Sequence, residues 1–154
     1  MTSIVELKEY TEHVKQRARQ TVESGEQVQT KLFALTPHGI DIIPITEGMR
    51  PVYKSLVCTL LRQLQADACV TITEVWACKN PTESRAKRLR SGEIKVSGLP
   101  LDDRQEMLVV VAVKNGEFHE HQMAPIITMT DDRRILGEWK TSGKLQGRMF
   151  IKDW

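Results

Sequence analysis

Residues 105–122 read QEMLVVVAVKNGEFHEHQ. An unbroken apolar run, 108–113, meets Asn115-Gly116 and is followed by a polar, alternating segment. Asn-Gly between two strand-like runs is the strongest short hairpin signal, because a two-residue turn needs positive φ at both central positions. That turn predicts Val113 opposite Phe118, Ala112 opposite His119 and Val110 opposite His121. Side chains alternate between the faces of a strand, so the two histidines, two residues apart, share one face.

Working outward, residues 68–78 (ACVTITEVWAC) form a second β-branched strand, expected antiparallel beside 105–113. Further upstream, Tyr53, Leu56, Val57, Leu60, Leu61 and Leu64 follow the i, i+3, i+4, i+7 spacing of an amphipathic helix. Pro51 suits its first turn, where no amide donor is needed. Residues 31–36 and 40–45 read as a hairpin turned at Pro37-His38-Gly39, and Pro44 belongs on a sheet edge. Residues 3–24 predict a helix opened by a Ser3–Glu6 capping box and ended at Ser24-Gly25. Residues 134–151 are expected to form a C-terminal hairpin. Strands clustered with few helical crossovers predict α+β: a mainly antiparallel sheet of five to seven strands, with the two principal helices packed on one face.

The 154 residues predict a single domain over 1–154. Lys and Arg total 22 against 20 Asp and Glu, so net charge gives no general attraction to nucleic acid or membrane. The longest apolar run is far short of the roughly 20 residues of a membrane helix. The N-terminus has no basic-then-apolar signal pattern. Cys58, Cys69 and Cys78, odd in number and without Cys-x-x-Cys spacing, read as buried free thiols, and the expected location is the cytoplasm.

Glu74 is the anomaly. On strand 68–78 it shares a face with Val70, Ile72 and Trp76, and a carboxylate on an apolar face must find a cation, reach water or stay protonated. Arg104, just before the neighbouring strand, is the expected ion-pair partner. Exposure at the strand end is a second reading. The third is a general acid or base in a small pocket of Glu74, Arg104 and Glu106. A histidine of His119 or His121 completes that pocket only if it shares Glu74's face.

Glu74-Val75-Trp76, followed after a polar loop by Asp103-Arg104-Gln105-Glu106, resembles a pattern in small uncharacterised bacterial proteins. Those carry a Glu-x-Trp strand and a later Asp-Arg-x-Glu strand opening. The resemblance spans residues 32–126 and rests on Glu74, Trp76, Asp103, Arg104 and Glu106. It implies no activity, but groups Glu74, Arg104 and Glu106 as one cluster. The long basic segment between the motifs departs from the pattern.

Residues 79–104 are long for a strand connection, and such loops are commonly functional or mobile. They include Arg85, Lys87, Arg88 and Arg90, a flexible basic excursion that could contact phosphates, although short basic runs are weak signals. His119 and His121 could face one ligand together with Trp76, but two histidines without a third ligand do not make a metal site, and no metal or cofactor is expected. There is no Gly-rich phosphate loop and no nucleophile elbow. Trp139, Met149, Phe150, Ile151 and Trp154 either pack on their own sheet or form a homodimer surface. Together these readings predict an accessory module that binds a protein partner or small ligand, ahead of a small pocket enzyme or a nucleic-acid binder.

Overall fold

The computed structural model describes residues 1–141 and 150–154. The chain runs α1 (Ile4–Glu23), β1 (Lys31–Thr36), β2 (Gly39–Pro44), α2 (Tyr53–Gln63), β3 (Ala68–Cys78), α3 (Glu83–Ser91), β4 (Arg104–Lys114), β5 (Phe118–Thr128), β6 (Arg134–Leu136) and β7 (Lys140–Thr141). The sheet order is β2-β1-β3-β4-β5-β6, with β7 also on β5, and every neighbouring pair is antiparallel. The α+β class and mainly antiparallel sheet match the expectation.

α1 starts as its capping box requires, the Ser3 hydroxyl accepting from the Glu6 amide and the Glu6 carboxylate from the Ser3 amide, each at 3.1 Å. Leu7, Val14, Ala18 and Val22 are buried against Val70, Ile72, Leu108, Val110, Ala124 and Leu136. α2 buries Tyr53, Val57 and Leu61 against Leu32, Ala34, Cys69 and Val113. Each fully buried aliphatic side chain stabilises by about 1.5–3 kcal/mol.

The second set of sheet residues alternates with the first, so the two helices lie on opposite faces. The expected one-sided packing is therefore wrong, and the cause is visible in β4. Leu108, Val110 and Ala112 point to α1, while Val109 and Val113 of the same strand are also buried. A strand apolar at both parities needs cover on both sides.

The β4–β5 turn differs from the expected one by a single residue. Lys114 pairs with Phe118, Val113 with His119 and Val111 with His121. The loop therefore has three residues, and among its positions only Gly116 has positive φ, at 69°. Asn115 is occupied elsewhere: its side-chain amide donates to the Trp154 carbonyl at 2.9 Å and its carbonyl accepts from the Trp154 amide at 2.8 Å. The Gly116 amide donates to Lys152 at 2.9 Å. A slip of one residue moves every side chain of a strand to the other face, and here it moves the histidines.

Residues 134–141 return along β5 as β6 and β7. The other half of the expected hairpin, 145–149, lies outside the described residues. The register steps by one between Ile126↔Leu136 and Met123↔Lys140, a bulge opposite Pro125, which has no amide proton to extend the ladder. Gly137 fits there because a Cβ would meet Pro125 Cγ at 2.6 Å. Trp139 packs into the α1-side core, and Ile151 and Trp154 into the α2-side core. The cluster that suggested a homodimer is thus largely used within the chain.

Candidate functional site

The sheet curls enough for β6 to reach back over the α1 face, where the Arg19 guanidinium donates to the Leu136 and Gly137 carbonyls at 2.6 and 2.9 Å. This brings Arg134 onto Glu74. One guanidinium nitrogen of Arg134 lies 3.2 Å from Glu74 Oε1 and 3.1 Å from Glu106 Oε2. Side-chain exposures of 17% for Arg134, 11% for Glu74 and 25% for Glu106 place the triad mostly out of water. Glu74 Oε1 also accepts from the Val28 amide at 3.0 Å, and Arg134 donates to the Glu26 carbonyl at 3.2 Å.

Glu74 therefore ties β3, β4, β6 and the α1–β1 connection together. The ion-pair reading holds, but the partner is Arg134 and not Arg104. Nothing local in sequence links residues 74 and 134; the curl does.

Arg104 is engaged differently. Its guanidinium lies 4.6 Å from the centre of the Trp76 ring, a cation–π arrangement, and donates to the Ser97 carbonyl at 2.9 Å. Its buried Nε has no partner among the described residues. Trp76 remains 43% exposed.

The excursion between them has its own architecture. The Lys79 amide donates to Asp103 at 2.8 Å, closing its base. Thr82 caps α3 by accepting from Arg85 at 3.2 Å, and Gly92 ends the helix in the left-handed conformation at φ 81°. Two short 3-10 turns, Val96–Gly98 and Leu101–Asp103, complete it. Of the four basic candidates, Arg85 pairs with Asp103 and Arg88 with Glu93, each at 3.4 Å. Lys87 and Arg90 are exposed and without a carboxylate partner among the described residues.

His119 and His121 lie on the α2 face, opposite Glu74, so the pocket that would have joined them to Glu74 and Arg104 does not exist. Their rings sit 5.4 Å apart and both meet the Phe150 ring edge-on, at 5.5 and 4.7 Å. No group of three His, Cys, Asp or Glu able to hold a metal occurs among the described residues.

His121 is 5% exposed, and its Nε2 has no partner among the described residues. Burial, reinforced by the neighbouring His119, lowers its pKa below the ordinary 6.5. The unfolded chain then binds a proton more readily than the folded one. Stability is fully present above 6.5 and is lost as pH falls towards the depressed folded value. We expect urea midpoints to fall between about pH 7.5 and about pH 5, and His121→Leu to flatten this part of the profile. An unchanged slope in the variant would assign the pH dependence elsewhere.

Of the three cysteines, expected to be buried, Cys69 is buried while Cys58 and Cys78 are half-buried. Burial pushes the Cys69 thiol up to about 12, with Cys58 adding to the effect. Burial likewise raises the Tyr53 hydroxyl to about 12, against a hydrogen bond with Thr71. Neither ionises near neutrality. No helix among the described residues is long and apolar enough to cross a membrane. No protein-family model matches the chain, and neither a curated protein nor a solved structure shows significant similarity to it.

Proposed function

We propose that this chain is a non-catalytic interaction module whose partner is a protein with an acidic surface, docked on Trp76, Arg104 and the adjoining face of α3. One observation supports this above the others: α3 buries no residue. It is capped at both ends and tethered at its base, yet adds nothing to either core. Its Arg85 pairs with Asp103, the residue before Arg104, which stacks on Trp76; tryptophan and arginine are the residue types that often dominate protein interfaces.

Charge favours a protein over nucleic acid. Two of the four cations in residues 85–90 are neutralised within the excursion, leaving Lys87 and Arg90. A nucleic-acid interface commonly uses about 6–10 phosphate contacts. The acid–base reading of Glu74 loses support because both carboxylates already share Arg134.

The test uses the full chain as bait, with Trp76→Ala and the pair Lys87→Glu/Arg90→Glu beside the unaltered protein. A partner retained by the unaltered chain and lost from both variants, with melting curves unchanged, is the expected result. Equal retention by all three would contradict the proposal. Labelled oligonucleotides should show no salt-sensitive binding; tight binding that falls steeply with salt would move the function to nucleic acid.

A further inference from the structure

α1 packs over β3, β4 and β6, leaving part of β1 and β2 uncovered on the α1 face. The resulting groove has a volume of about 210 Å3. Tyr10, Phe33 and Ile72 supply apolar lining, and Tyr10 and Phe33 meet edge-to-face at 5.8 Å and 67°. His13, Arg17 and Lys31 line the same groove. None of the three lies within 4.0 Å of a carboxylate among the described residues. Most other cations on α1 are engaged: Lys15 with Glu12 at 2.8 Å and Arg19 with Glu23 at 3.8 Å.

We propose that this groove binds a small aromatic carboxylate, its ring against Tyr10 and Phe33 and its carboxylate held by Arg17 and Lys31. Size and charge together favour such a ligand. A cavity of roughly 150 Å3 holds a benzene, so this groove holds a ring and one further small group. An arginine fork suits a carboxylate because two parallel N–H donors can meet its two oxygens. An apolar pocket with a few convergent polar groups is the usual form of a small-molecule site. The ligand neutralises cations that the fold leaves unpaired, while its ring covers half-buried aromatic surface.

The test is a titration of the full chain followed by amide correlation spectra, with benzoate as probe. Benzamide keeps the ring without the charge, and acetate keeps the charge without the ring. Benzoate should saturate and shift amides in residues 10–18 and 28–33, with benzamide and acetate at least roughly tenfold weaker. Arg17→Gln and Lys31→Gln should each weaken benzoate by roughly tenfold with unchanged melting curves. Trp76→Ala should leave it unaffected, which separates this site from the proposed protein surface. Equal binding of benzamide, no saturable benzoate shifts in these segments, or indifference to both groove variants would overturn the proposal.

Discussion

Arg134→Ala is expected to lower the unfolding free energy by about 3–5 kcal/mol, because it leaves two mostly buried carboxylates without their cation. The contacts of Arg134 explain the size. One nitrogen serves Glu74 and Glu106 at 3.2 and 3.1 Å, and the other terminal nitrogen donates to Glu26. Removing the side chain therefore leaves two like charges facing each other and loosens β6 from the α1–β1 connection. Arg104→Ala, by contrast, removes an exposed-edge stack on Trp76 and a carbonyl contact, and should cost about 1–2 kcal/mol. Urea titrations of the two variants measure both values. A larger loss at Arg104 would return the partnership to the nearer residue in sequence.

The second large effect concerns the C-terminus. Deletion of residues 150–154 is expected to cost about 3 kcal/mol or more, from one buried aliphatic side chain and several hydrogen bonds. Ile151 is buried in the α2-side core. The Trp154 indole donates to the Ala66 carbonyl at 2.7 Å, and its backbone meets both ends of the Asn115 amide. The same segment brings Phe150 onto His121, so the deletion should also remove the acid-side loss of stability. Native-like stability after truncation would show that this segment is only loosely attached.

These two regions also mark where sequence reasoning stopped. The capping box of α1, the apolar stripe of α2 and the sharing of one face by Val70, Ile72, Glu74 and Trp76 are local patterns, and the fold keeps them. The β4–β5 turn is not local. Asn115-Gly116 suits a two-residue turn, but residues 152 and 154 take up its polar groups, and the loop lengthens by one. That change alone sets His119 and His121 opposite Val113 and Val111 in place of Ala112 and Val110.

The partner in the ion pair differs for a related reason. Arg104 is near Glu74 in the pairing order of β3 and β4, whereas Arg134 reaches it only through the curl of the sheet. A signal did exist for the packing of helices on both faces: VVVAV is apolar at both parities, which implies cover on two sides. For Arg134 no local pattern points to its partner. The expectation of a Glu74, Arg104 and Glu106 cluster is half kept: Glu74 and Glu106 converge, while Arg104 turns to Trp76.

Glu74 belongs to the architecture through Arg134, while Arg104 stacks on Trp76. The most direct measurement is a pair of double-mutant cycles, Glu74→Gln with Arg134→Met and Glu74→Gln with Arg104→Met. The account predicts a coupling of about 1–3 kcal/mol for the first cycle and no more than about 0.5 kcal/mol for the second. Additive behaviour in the first cycle, or stronger coupling in the second, would contradict it.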